Sequence, residues 1–202
     1  MNTPSFKLLN FISLIGSLKT TRRFKTLDNI DGDSVADHTW RLAMFVFLVA
    51  DEFKLNINTL KAVKMALVHD LVEIITDDID AVEQYRKNLY SKKALDEAEA
   101  IKEVVKSLSD EQASDIHSIW TEFDEAKTPE AKFVFALDKI EGVFTLLESG
   151  HKAFTLPHLV ASYGNEQVAD FPELKPLFIE LKLRLKEEFK KGGIEWKDEY
   201  EI

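Results

Sequence analysis

Residues 64–80 read KMALVHDLVEIITDDID. The first half has the apolar spacing of a buried helix, yet it carries His69, Asp70 and Glu73, and the stretch ends on Asp77, Asp78 and Asp80. Burying an ionised carboxylate without a partner is costly, so such groups need a cation or strong donors beside them. Successive helical residues point about 100° apart. His69 and Asp70 can therefore flank one point in space and ligate a single ion. Glu73, four residues beyond His69 and three beyond Asp70, lies over the same face one turn on. There it is positioned as a base or hydrogen-bond partner for a water at that ion.

Two further apolar stretches carry groups of the same kind. His38 lies in SVADHTWRLAMFVFLVA (34–50), at the start of a helix whose later turns are strongly apolar, and Asp138 lies in FVFALDKIEGVF (133–144). A lone buried histidine is more often a satisfied core residue than a ligand, and a lone aspartate in an apolar helix often pairs with an arginine. The set outweighs its members: three apolar helices contribute, in order, His, His-Asp and Asp. Two imidazoles and two carboxylates suit one divalent transition metal ion, Mn²⁺, Co²⁺, Fe²⁺, Ni²⁺ or Zn²⁺, better than Ca²⁺.

Composition narrows the alternatives. The chain has 202 residues, 45% hydrophobic and 31% charged, which is ordinary for a soluble globular protein of one domain. A formal net charge of −10 argues against a nucleic-acid or anionic-membrane footprint, because both need a basic surface. An anionic substrate then requires a local positive source such as a metal ion. With no cysteine, thiolate catalysis, zinc fingers and disulfides are excluded. A reducing compartment is compatible with that, and a cytoplasmic location is expected. The N-terminal MNTPSFKLLNFISLIGSL reads as an amphipathic helix starting at Thr3-Pro4 rather than a signal sequence, and the longest apolar run, LAMFVFLVA at 42–50, is too short to span a bilayer.

Helical periodicity runs throughout, without strand alternation. Ser34 caps a helix over about 35–53, and Asn58 opens another to about Thr76. Ser91 begins a charged helix to about 108, and Ser109 the next. Thr128 as cap, Pro129 at the first helical position and Gly150 just past the end punctuate a further helix. A last helix covers about 172–191 and stops at Gly192-Gly193, while residues 151–170 read as an irregular loop. The expected architecture is an all-α, single-domain helical bundle over 1–202.

These segments resemble the HD-domain metal-dependent phosphohydrolase superfamily, whose signature is H…HD…D. SVADHTWRLA, ALVHDLVEIITDDI and EAKFVFALDKIEG are similar to the matching segments of the 5′-deoxynucleotidase group, over roughly residues 5–150. The resemblance implies metal ligands His38, His69, Asp70 and Asp138. It also implies that Glu73 and the acid after the following turn take part in catalysis. Relatives commonly show E-x-x-x-G-D there, so Asp77 stands at the usual glycine and Asp78 at the functional acid. An upstream Arg-aromatic pair falls on Arg23 and Phe24, Arg23 for the phosphate and Phe24 beside the sugar, where the deoxynucleotidase has Trp. The implied reaction is hydrolysis of (deoxy)nucleoside 5′-monophosphates by a homodimeric enzyme. An HD-type phosphodiesterase, a nucleotide pyrophosphohydrolase and a non-catalytic nucleotide-binding module are the alternatives.

The other conspicuous residues have plainer readings. His117, His151 and His158 are expected to be structural or exposed, Trp40 and Trp120 to pack, and Trp196 to dock the C-terminal tail. Asp77 and Asp80 read as solvated turn or helix-start residues. Arg41, three after His38, either reaches the site or pairs with an acid.

Overall fold

Caps written into the sequence set most of the helix starts. In the computed structural model the described residues are 3–27, 30, 32–87 and 90–202, the side chains of residues 90–93 excepted. Thr3 accepts the Phe6 backbone N–H ahead of Pro4 and opens α1 (Pro4–Ile15). Ser34 and Asp37 form a reciprocal capping box at the head of α2 (Val35–Glu52). Asn58 caps α3 (Thr59–Val68) through the Lys61 N–H. Two short helices follow, α4 (Glu73–Thr76) and α5 (Ala81–Lys87), and then α6 (Tyr90–Val105). Ser91 falls just inside α6, and its side chain is outside the described residues. Ser109 caps α7 (Asp110–Glu125), and Thr128 with Pro129 opens α8 (Pro129–Ser149). The chain closes with α9 (Pro157–Ser162), α10 (Asn165–Asp170) and α11 (Lys175–Lys191). Among the described residues there is no strand, only an isolated antiparallel bridge between Arg22 and Ser34, and no helix is long and apolar enough to cross a membrane. The architecture is all-α.

Helix α8 is the axle of the bundle. It is buried on most sides, through Ala131, Phe133, Val134, Leu137, Ile140 and Val143, and it packs against α2, α3, α7, α10 and α11. Fully buried Phe133, Phe178, Phe189, Leu42 and Met65 fill the space around it, each contributing roughly 1.5–3 kcal/mol. A second cluster gathers Phe11, Leu18, Val35, Val72, Ile101 and Trp120, joining α1, α6 and α7 to the start of α2 and to the turn before α4. Asp138 thus sits on the most enclosed helix of the molecule.

Three expectations are corrected. The helix opened by Asn58 does not run unbroken to Thr76: α3 ends at Val68, residues 69–72 form a turn, and α4 starts at Glu73. The cause is competition for carbonyls. His69 Nδ1–H donates to the Ala66 carbonyl (2.9 Å) and Trp120 Nε1–H to the His69 carbonyl (3.1 Å), so side chains take acceptors that a continuing α-helix uses for its own ladder. The backbone answers with tighter bonds, Glu73 N–H to Asp70 and Ile75 N–H to Val72.

Residues 151–170 are not an irregular loop; they hold α9 and α10. Each helix has six residues, too short for a period to register in sequence. Trp40 is not a packing residue, being 67% exposed. It lies two positions from buried His38 and so on the opposite side of α2.

Asp77 stands between α4 and α5 at φ 61°, ψ 161°, a conformation that L side chains rarely adopt and glycine adopts freely. Its carboxylate meets Lys25 in an exposed ion pair of little energetic weight. Asp77→Gly is therefore expected to raise unfolding stability by about 1 kcal/mol, read as a higher urea midpoint at unchanged slope; a lower midpoint would show that the ion pair outweighs the backbone strain.

Candidate active site

The first histidine is placed by the capping box. Ser34 fixes the entry of α2, and His38, one turn in, is 1% exposed and faces α8. His69 arrives at the C-terminal end of α3, and the turn that follows aims Asp70 at the same point. Asp138 reaches it from α8. His38 Nε2 lies 3.3 Å from His69 Nε2, 3.2 Å from Asp138 Oδ1 and 3.6 Å from Asp70 Oδ2. His69 Nε2 lies 3.1 Å from Asp70 Oδ2 and 3.9 Å from Asp138 Oδ1. Ligand atoms, one each from His38, His69 and Asp138, lie within 4.8 Å of one another.

The donor set fits a metal for a reason beyond proximity. Each imidazole is held by its other nitrogen, His69 Nδ1–H by the Ala66 carbonyl and His38 Nδ1 by Glu141 Oε2 at 2.5 Å. A carbonyl only accepts, so neutral His69 carries its proton on Nδ1 and turns the Nε2 lone pair toward the centre. Such partners fix the tautomer and ring orientation of metal-binding histidines. The cluster of two imidazoles and two carboxylates therefore suits a divalent ion.

Glu141 was not singled out from the sequence. It is 1% exposed and gathers His38, Arg23 Nη1 (3.0 Å) and Arg41, whose Nε donates to Oε1 at 2.7 Å. Arg41 thereby resolves as the partner of an acid, and it also donates to Glu148 (2.6 Å) and to the Thr145 hydroxyl. The available signal was a second acid three residues after Asp138, on the same face of an apolar helix. Burial opposes ionisation of Glu141, but His38, Arg23 and Arg41 outweigh it and hold the carboxyl down at about 2. Burial and Arg23 oppose the charge on His38, and Glu141 with Asp138 overcomes them, pushing the imidazole up to about 9.

The segment before α2 folds back to bring Arg23 and Phe24 into place. Arg23 N–H donates to the Asp33 carbonyl, Val35 N–H to that of Thr21, and Asp80 Oδ2 accepts both the N–H (3.2 Å) and the hydroxyl (2.6 Å) of Thr26. Asp80 also receives the Glu83 N–H at the start of α5, so it is a helix-start residue as expected, but buried rather than solvated. Arg23 pairs with Asp33 (3.2 Å) as well as Glu141 and stacks 4.8 Å above the Phe24 ring. Lys139, another residue passed over in the sequence, lies 2.8 Å from Asp138 Oδ2. Burial would strip its charge, but Asp138 and its neighbours raise it above the ordinary lysine range. Asp138 itself is opposed by burial and held well below the usual carboxylate range by Lys139 and the imidazoles.

All these groups meet at one cavity of about 110 Å³, lined by Arg23, Phe24, His38, Asp70, Glu73, Asp78 and Asp138. His69 stands behind them, buried. Every residue singled out from the sequence for metal, substrate or catalysis is thus in or against this one site. The cavity also takes Leu159, Val160 and Tyr163 from α9 and the turn after it, beyond the region in which the sequence showed a resemblance.

The comparisons agree with this architecture. The family model described as "HD domain" matches residues 15–170. The chain belongs to the HD-domain family. Among its relatives, the 5′-deoxynucleotidase HDDC2 of Dictyostelium discoideum is 31% identical over 192 residues, covering 90% of this chain and 98% of that protein. The 5′-deoxynucleotidase HDDC2 of Homo sapiens is 32% identical over 143 residues, covering 70% and 67%. The crystal structure of a predicted metal-dependent phosphohydrolase from Magnetospirillum magnetotacticum MS-1 shares the fold at a TM-score of 0.73 and 23% identity, covering 95% of this chain and 98% of that one.

The titration of the metal-free cluster has a definite sign. The His38 contribution is complete below about pH 6.5 and is lost as pH rises through about 9, whereas that of Glu141 is complete above about 4.5 and is lost as pH falls through about 2. Chelator-treated protein should have its highest urea midpoint between about pH 4.5 and 6.5 and lose stability on either side. Glu141→Gln should flatten the alkaline limb. An alkaline limb that is unchanged in Glu141→Gln would contradict the assignment.

Proposed function

We propose that the protein is a metal-dependent phosphomonoesterase that hydrolyses deoxynucleoside 5′-monophosphates to deoxynucleoside and inorganic phosphate. The observation that carries this reading is the convergence of His38, His69, Asp70 and Asp138 at the wall of a cavity that also receives Glu73, Asp78 and Arg23. Membership of a family whose relatives are named 5′-deoxynucleotidase supports it.

His38, His69, Asp70 and Asp138 would hold the metal, with Mn²⁺, Co²⁺, Fe²⁺, Ni²⁺ and Zn²⁺ compatible with two nitrogen and two oxygen donors. When bound, the ion supplies Lewis-acid polarisation of the phosphoryl group. Arg23 and Lys139 bring permanent positive charge to the same wall and offset charge on the phosphate oxygens. Phe24 supports the Arg23 guanidinium by stacking. Glu73 is 5% exposed and opens α4 at the cavity wall, and Asp78 follows the strained turn at Asp77. One of these carboxylates takes the proton of the attacking water, and the other returns a proton to the departing 5′-oxygen. Glu141 acts on none of the reacting atoms; it positions His38.

Chelated protein reloaded in turn with each of these metals should release phosphate from deoxynucleoside 5′-monophosphates and not from 3′-monophosphates or diesters. Glu73→Gln should lower kcat by about 100-fold or more while the bound metal, measured by elemental analysis, is retained. No phosphate release with any of these metals, or a preference for diesters or triphosphates, would overturn the reading.

A further inference from the structure

The site cavity is too small for a whole nucleotide. Its volume of about 110 Å³ falls well below the roughly 300 Å³ at which small-molecule pockets begin. A second chamber, of about 630 Å³, adjoins it and shares the wall formed by Gln84, Lys139, Leu159 and Tyr163. The two differ in chemistry. The inner cavity carries Arg23, His38 and the acids of the cluster, while the outer one shares Lys139, adds Phe135 and the uncharged polar side chains of Ser162, Asn165 and Gln167, and takes its own acids, Glu97 and Glu166.

Tyr163 stands where they meet. A Cβ on Gly142 of α8 would lie 3.7 Å from Tyr163 Cε1 and 3.8 Å from Arg23 Nη2, so the phenol ring and the guanidinium both rest against one bare backbone position. Lys139 lies 4.7 Å from the centroid of Phe135 and 5.6 Å from that of Tyr163, spanning the two rings. Gly164, at φ 85° where a side chain is strained, lets the turn after Tyr163 close against Lys139 and Phe178. Amide ends at the outer wall are already oriented. Gln84 Nε2 donates to the Ile79 carbonyl (2.7 Å), leaving its oxygen as acceptor, and Asn165 Oδ1 accepts from Lys182 (2.6 Å), leaving its amide N–H groups as donors. Glu97 and Glu166 complete the lining, and their charge disfavours a further phosphate there.

We propose that this outer chamber receives the nucleobase, with Tyr163 as the ring on which the nucleoside stacks at the junction. The assignment rests on the phosphomonoesterase reading and deepens it: phosphate lies at the charged end, the sugar follows it, and a neutral heterocycle stacks on Tyr163 among the amides of the outer chamber. Oriented amides complement the donors and acceptors on a base edge, and an aromatic platform accepts any base. Specificity for a nucleoside over a bare sugar phosphate then comes from α9 and α10.

The test compares a deoxynucleoside 5′-monophosphate with 2-deoxyribose 5-phosphate, which lacks the base, on the metal-loaded enzyme. The ratio of their kcat/KM values should fall about tenfold in Tyr163→Ala and be kept in Tyr163→Phe, which retains the ring. Calorimetry with the free deoxynucleoside should show weaker binding in Tyr163→Ala alone. A ratio and an affinity unchanged in Tyr163→Ala would overturn the assignment while the phosphomonoesterase reading stood. If the wild-type protein hydrolyses neither compound, that reading falls, and calorimetry still decides the chamber: deoxynucleoside binding lost in Tyr163→Ala upholds it, and equal or absent binding in both proteins overturns it.

Discussion

Asp70, Glu73, Asp78, Asp138 and Glu141 are brought to one small region against the most enclosed helix of the protein. Concentrating that much negative charge away from bulk water is the constraint on which the rest of the structure depends, because each unbalanced carboxylate would favour opening the bundle. Positive groups answer it from every side: Arg23 from the segment before α2, Arg41 from α2, Lys139 from α8, and the His38 imidazole in the middle. On the function proposed above, a divalent cation held by His38, His69, Asp70 and Asp138 would complete the balance.

Glu141 links that balance to shape. By holding His38 Nδ1 it fixes the ring that faces the centre, and by accepting from Arg23 it holds in place the segment before α2. The break after α3 does comparable work for the second histidine. Trp120 and the His69 ring each take a backbone carbonyl, the helix ends, and Asp70 and Glu73 are re-aimed from a turn and a new helix start instead of from successive rungs of one helix. The strain at Asp77 is the cost of reversing the chain quickly enough to bring Asp78 to the same cavity.

Much of this was legible in the sequence, because caps and burial leave marks that local chemistry explains. Ser34, Asn58, Ser109 and Thr128 all cap helices, and the improbability of His38, His69, Asp70 and Asp138 in apolar stretches pointed to a shared centre. What escaped depended on contacts between distant segments. The interruption at residues 69–72 is made by Trp120, fifty-one positions away. Glu141 looked like one acid among many until Arg23, Arg41 and His38 were seen to meet on it. Tyr163 follows a six-residue helix in a region without a periodic pattern, yet it walls the cavity.

The most direct measurement of the central claim is a Co²⁺ titration of chelated protein followed by visible absorption. One ion per chain should bind and give ligand-field bands characteristic of nitrogen and oxygen donors, with the bands lost in His69→Ala and in Asp138→Ala. Binding of equal stoichiometry and unchanged spectrum in both variants would mean that these side chains do not share a metal, and the account would fail at its centre.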